Sequence, residues 1–171
     1  IFLIYFLLLA HTQKEDLEIA CQRYTTSKLN VFEDIHSLAT FGFRGEALSS
    51  VSTVSHLTIV SKTATSLCGY KAEYIDGALK ANTAISPVAA NNGTIITVEN
   101  LFYNMPTRKE ALSSDSTECG LIQDLITRYA ILYSQKCGFI LKKFGENTHI
   151  VSTSLANSTL TNINNLYMQN I

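Results

Sequence analysis

Proline is scarce, with only Pro87 and Pro106 in 171 residues, so no Pro-rich linker or low-complexity tract interrupts the chain. Apolar residues make up 46% of the composition and the mean hydropathy is +0.13, enough apolar area to offset the cost of ordering a folded domain. Excess charge is also missing. Thirteen Lys and Arg against fourteen Asp and Glu leave a formal net charge of −1, which excludes the strongly basic footprint of an autonomous nucleic-acid binder. Any contact with DNA is then indirect or lies elsewhere. The four cysteines, Cys21, Cys68, Cys119 and Cys137, form no CxxC pair and have no histidine at metal-ligand spacing, so no metal site is expected. They read as reduced thiols of a cytosolic or nuclear protein. Nor is any apolar run long enough to cross a bilayer, which takes ~20 residues. The strongest, residues 1–10 (IFLIYFLLLA), has the length of a signal-peptide core but lacks a starting Met, a charged leader and a small-x-small cleavage site. A chain beginning at Ile1 reads as a fragment.

What is present has the texture of one globular domain with no internal repeat. The Ile, Phe and Tyr content of residues 1–10 suits a fully buried strand, although a Leu-rich run of this length also makes a buried helix. A strand over residues 2–8, paired within the sheet, is the expectation. Thr12 and Glu15 have capping-box spacing and predict a helix over residues 13–23, with Leu17, Ile19, Ala20 and Cys21 inward. Residues 24–43 lose the hydrophobic period and read as a long loop with a short helix at 33–38, the kind of segment that often serves as a lid or binding loop. A helix follows at 44–53. Alternation then predicts strands at 56–62 and 70–76, ending in an Asp76-Gly77 turn, and the β-branched run at 94–99 predicts another. Residues 82–92 read as a polar connection. Beyond Pro106 come a short helix at 108–112, an amphipathic helix at 119–133, strands at 139–144 and 149–153, and a helix at 160–168. This order lacks steady βαβ alternation and predicts a two-layer α/β sandwich on a mixed, mainly antiparallel sheet.

Two segments could carry chemistry. Gly42 and Gly45 stand at the entrance of the predicted helix at 44–53, where free N–H groups suit phosphate oxygens. Lys28, with the hydroxyls of Thr26 and Ser27, could complete such a site from the long loop. The plainer reading is that the glycines shape a turn and that Lys28 is a solvated surface charge. Likewise Asn91-Asn92-Gly93-Thr94 puts a hydroxyl at a strand mouth, or is simply hairpin chemistry.

In this order, TTSKL at 25–29, FGFRGEALSSVS at 41–52 and NNGTIITVENLFYNMPTRKEAL at 91–112 resemble the ATPase domain of MutL-family DNA mismatch-repair proteins. The resemblance runs from about residue 12 to 171. Around RYTTSKL, FEDI and SKTATSLCGYKAEYIDGALKA it is nearest to the eukaryotic homologue that serves as the common subunit of the repair heterodimers. It implies the sandwich fold shared by gyrase-type topoisomerases, the ninety-kilodalton chaperone and histidine kinases, incomplete in this chain at the N-terminus, with residues 1–10 outside the family pattern and 11–171 a partial ATPase domain. It implies ATP and Mg2+ as cofactors, a second MutL homologue and MutS-type mismatch sensors as partners, DNA reached through the full-length protein, no membrane, and a nuclear location. Thr26, Ser27 and Lys28 fall on the nucleotide-contacting segment at the edge of the lid. Arg44, Gly45, Glu46, Ala47 and Leu48 fall on the phosphate-contacting turn, and Thr94 on the hydroxyl behind the adenine pocket.

The family's general base, its magnesium-binding Asn and its adenine-reading Asp-x-Gly-x-Gly turn have no counterpart in this sequence, so no catalytic residue is expected and hydrolysis should be defective. Glu46, the one carboxylate beside the turn, suits helix-dipole and local hydrogen-bonding roles better than those of a base. Two readings remain: a piece of a MutL-type ATPase domain, or a truncated paralogue acting only through protein contacts. The phosphate turn should start a helix and face a groove that Lys28 also reaches.

Overall fold

The computed structural model of this chain describes residues 4–8, 12–29, 31–38, 40 and 42–168. Its contacts fall into two compact units, Ile1–Glu110 and Ala111–Ile171. Residues 4–8 join the sheet of the first unit, and the second unit begins after a short helix.

Among the described residues of the first unit, six strands form one sheet: β1 (Ile4–Leu8), β2 (His56–Lys62), β3 (Gly69–Ile75), β4 (Ala78–Leu79), β5 (Ser86–Val88) and β6 (Gly93–Glu99). Their order is β1-β6-β2-β3-β4, with β5 also on β3, and every pair is antiparallel. Alternation in the sequence becomes three rows across the sheet. Val98, Leu57 and Tyr74 form one, Ile96, Ile59 and Ala72 the next, and Thr94, Ser61 and Tyr70 the last. Strand β1 extends them by register, Ile4 opposite Val98, Phe6 opposite Ile96 and Leu8 opposite Thr94. The expected strand at 2–8 is therefore present and paired over residues 4–8, while Phe2 and Leu3 lie outside the described residues.

The second layer covers this face. Leu17 and Cys21, one helical turn apart, are buried with the sheet residues, and Leu48 and Val51 of α1 (Ala47–Thr53) pack against the cluster. The Tyr74 hydroxyl donates to the Leu17 carbonyl. This layer corrects the expected helix at 13–23, of which only a 3₁₀ turn at Glu15–Glu18 forms. The Thr12 amide is drawn off to Ser61 Oγ (3.1 Å), and the Asp16 carboxylate takes the Gln13 amide (3.3 Å), so the predicted cap is never built. Leu17 lies in that turn and Cys21 in the irregular turns after it, both buried, and Tyr24 at φ 66° then ends the segment. The short helix of the long loop is a 3₁₀ segment, Phe32–Ser37, with the Asp34 carboxylate on the Val31 amide (3.1 Å). Strand β5 is hidden from a sequence reading because Pro87 sits in its middle, a residue tolerated only at edges and bulges. Pro106 opens α2 (Pro106–Glu110), where its missing N–H costs nothing.

The second unit is built on α3 (Asp115–Leu132), whose N-terminus is capped by Ser114 Oγ accepting from the Thr117 amide at 3.3 Å. The helix therefore starts four residues before the predicted 119. A two-residue ladder joins β7 (Ile140–Leu141) to β8 (Val151–Ser152), shorter than the two predicted strands. Helix α4 (Thr159–Tyr167) is capped by Ser158 and packs on α3 through fully buried Asn162, which donates to the Ala130 carbonyl at 2.8 Å and accepts from Asn157 at 2.9 Å.

Leu57, 1% exposed at the centre of the sheet, sets the cost of emptying this core. Leu57→Ala should lower the unfolding free energy by about 3 kcal/mol, read as a shift of the urea midpoint at unchanged slope. Burial pushes the Cys21 thiol from its ordinary 9.0 up to about 11, against a smaller opposing effect of the Ser52 hydroxyl. The folded thiol ionises later than the unfolded one, so its contribution is intact below pH 9 and is lost as pH rises toward 11. Urea unfolding of the native protein and Cys21→Ala should accordingly show a stability gap that narrows through that window.

Candidate phosphate-facing turn

Gly45 determines the local geometry. Its φ is +66°, and a Cβ built there would lie 2.3 Å from the Thr25 carbonyl oxygen, a separation no side chain tolerates. The neighbouring Tyr24 amide donates to the Gly45 carbonyl at 3.0 Å, so two left-handed residues, Tyr24 and Gly45, lock residues 24–25 against the turn. Gly42 has no such need, since a Cβ there would meet nothing within 4 Å among the described residues. Phe41, which opens the motif, lies outside the described residues.

From this turn the chain enters α1 directly. Its first helical bond runs from the Ser50 amide to the Glu46 carbonyl at 2.8 Å. The predicted start at Arg44 moves to Ala47 because Gly45 is left-handed, and no side chain caps the helix at Glu46 among the described residues. Amides of the first turn are thus left to water or a ligand. Leu48 turns inward against the core, while Ala47 is exposed.

Thr26, Ser27 and Lys28 form one local cluster. The Lys28 amide donates to Thr26 Oγ1 (3.1 Å) and Lys28 Nζ to Ser27 Oγ (2.8 Å), all at the surface. Thr25 carries this cluster to the face of Gly45, so the chain brings the two expected segments together through backbone contact. Thr94 belongs to a different place, on β6, where its buried hydroxyl meets Ser61 Oγ at 2.8 Å, and Ser61 in turn receives the Thr12 amide.

The Glu46 side chain is held by arginines. Arg44 Nε reaches Oε2 at 3.0 Å and Arg23 lies 3.9 Å from Oε1. Each carboxylate oxygen thus faces an arginine nitrogen. Sequence reasoning singles out Glu46 and Arg44 but misses Arg23, which a helix at 13–23 would have placed elsewhere.

Phosphate groups fit the turn in kind, through its uncapped helix amides and the Arg44 guanidinium beside Glu46. A divalent metal does not, since among the described residues no group of three His, Cys, Asp or Glu side chains comes together. Two surface grooves, one along Lys62, Cys68 and residues 87–90 and the other along residues 13–15, 63–66 and Tyr70, include none of the turn.

Gly45→Ala should cost more than about 2 kcal/mol, since backbone strain at positive φ adds to the collision with Thr25. Glu46→Gln, which leaves two exposed arginines unpaired, should cost less than about 1 kcal/mol. Chemical denaturation of both variants checks this contrast.

No model of a known protein family matches the chain. Curated relatives do: it is 48% identical over 152 residues to DNA mismatch repair protein Mlh1 of Dictyostelium discoideum, covering 85% of the chain and 17% of the relative. It is 45% identical over 139 residues to DNA mismatch repair protein MLH1 of Saccharomyces cerevisiae, covering 81% and 18%. The chain therefore spans about a sixth of the length of these relatives. Among solved structures it resembles the N-terminal domain of a DNA repair protein, with a TM-score of 0.73 at 25% identity over 96% of this chain and 47% of that one. It also resembles the MutL ATPase domain of Aquifex aeolicus complexed with ADP, with a TM-score of 0.61 at 25% identity over 81% and 52%. With the α/β fold, the motif segments and these relatives in agreement, the chain belongs to the MutL family of DNA mismatch-repair proteins and has the fold of its ATPase domain.

Proposed function

We propose that residues 24–28 and 44–48 form the lid edge and phosphate-facing turn of a nucleotide site in a DNA mismatch-repair ATPase. The observation that carries this reading is the packing of Thr25 on left-handed Gly45, which joins the TTSK segment to the RGEAL turn at an uncapped helix entrance. In this reading the amides of Gly45, Glu46, Ala47 and Leu48 donate to phosphate oxygens. Arg44 and Lys28 supply positive charge, while the Thr26 and Ser27 hydroxyls donate alongside. Thr94, whose hydroxyl is tied to Ser61, acts from behind the adenine side by fixing the strands. Bound ATP would supply the phosphoryl group. Mg2+ would have to be held by groups other than the described residues.

In the longer relatives' setting, the natural partners are a second MutL homologue and MutS-type sensors, with DNA reached through the assembled protein and the nucleus as its place of action. Among the described residues no helix is long and apolar enough to cross a membrane. The chain binds nucleotide phosphates without hydrolysing them, because Glu46 is engaged by Arg23 and Arg44. A protein-interaction module without nucleotide chemistry is the second reading.

Calorimetry with ADP and a phosphate-release assay separate these readings. The chain should bind ADP, with affinity lowered about tenfold by Lys28→Ala together with Arg44→Ala, and should release no phosphate above background. Magnesium-dependent turnover abolished by Glu46→Gln would make Glu46 a base, and absence of ADP binding would favour the interaction module.

A further inference from the structure

Helix α1 is an unlikely structure to stand unaided. Four of its seven residues are Ser or Thr, and at this length an isolated helix is far from stable. Its own hydroxyls compete for its carbonyls: Ser52 and Thr53 both donate to the Ser49 carbonyl at 2.9 Å, and Ser55 to that of Val51 at 2.6 Å. The last three carbonyls are taken by other parts of the first unit. Ser52 accepts from the Gly77 amide at 3.1 Å, Thr53 from Asn104 Nδ2 at 2.9 Å, and Val54 from the Phe102 amide at 2.7 Å.

These donors come from two loops that are themselves fastened together. The Tyr103 hydroxyl donates to Asp76 Oδ1, which Asn104 Nδ2 also approaches at 3.4 Å. The His56 ring lies tilted against that of Tyr103 at 4.6 Å and contacts Asn100 at 3.1 Å. Asp76, Asn100 and Phe102 all adopt positive φ, near 53°, 54° and 61°, a conformation that non-glycine residues accept only when surroundings enforce it.

We propose that Asn104 is a positioning residue for the phosphate-facing turn: with the Phe102 and Gly77 amides it clamps the C-terminal carbonyls of α1 and so fixes the other end of the helix, residues 45–48. The inference rests on reading those residues as the phosphate contact. Seven residues at about 1.5 Å each span only ~10 Å, so a helix held at its C-terminal end, with Val51 packed in its middle and Leu48 in its first turn, has little freedom at residues 45–48. Asn104 suits the task because its amide donates to Thr53 and Asp76 at once.

The test is amide hydrogen exchange on the full chain, with ADP calorimetry alongside. Asn104→Asp keeps the shape and removes the donor, and Ile59→Val serves as a control that loosens the core elsewhere. Exchange at the Ser50 amide, whose bond to the Glu46 carbonyl closes the first turn of α1, should rise about fivefold in Asn104→Asp, together with that at 52–54, and ADP affinity should fall by a similar factor. Ile59→Val should change neither selectively. If Asn104→Asp fails to fold, Tyr103→Phe, which removes only the bond to Asp76, should raise exchange at the same two places by a smaller factor. Exchange that rises at 52–54 alone, or equally in the control, overturns the proposal. Should the native chain not bind ADP, the nucleotide reading fails, while the exchange pattern still decides the clamp.

Discussion

Much of the first unit depends on one backbone contact, the seating of Thr25 on Gly45. It fixes where the long loop ends, forbids the helix from starting before Ala47, and places Arg23 and Arg44 on either side of Glu46. Any residue but glycine would have to push the loop away, and with it the TTSK segment. The electrostatics follow from the same contact. A carboxylate that would otherwise stand alone beside a helix entrance becomes the shared partner of two cations, which orients them near the place proposed for phosphate.

The second organising element is the Ser61 hydroxyl. It receives the Thr12 amide and meets Thr94 on the neighbouring strand, closing the polar end of an otherwise apolar set of rows. Buried hydroxyls at the centre of a sheet are costly unless partnered, and here each one is. The pairing ties residue 12 to β2 and β6 and leads the chain from the sheet into the layer that carries Leu17 and Cys21. Strand, crossover segment and turn are thus one connected construction.

The sequence displays some of this and conceals the rest for definite reasons. Strand β2 is legible to the residue because its alternation is clean, and β6 nearly so, because the run TIITVE is β-branched. The helix expected at 13–23 fails because its capping pattern is overruled by a tertiary hydrogen bond from Thr12 to Ser61 and a competing local one from Gln13 to Asp16. Ser114, Asp115 and Glu118 do signal the true start of α3, with a hydroxyl cap and acids in the first turn, and weighing apolar period above capping misses it. The glycine pair of the turn is visible, but only coordinates separate Gly45, which needs its left-handed backbone, from Gly42, which does not. Asn104 stands in a recognised motif, yet nothing in its spacing reveals that it reaches the end of α1.

The far side of the sheet bears on association. Strand β3 is seven residues long, and its outer edge is divided between β4, two residues long, and β5, three residues long with Pro87 at its centre. Between them the Lys80 amide covers the Glu73 carbonyl at 2.8 Å. Lys71 and Lys80 gather on the Glu73 carboxylate, and their ammonium groups hold it below the usual carboxylate range. An incoming chain would meet short strands, a proline without a donor and a knot of charge, features that discourage edge-to-edge growth. Aggregation of this protein, where it occurs, should therefore begin from some other surface than the β3 margin.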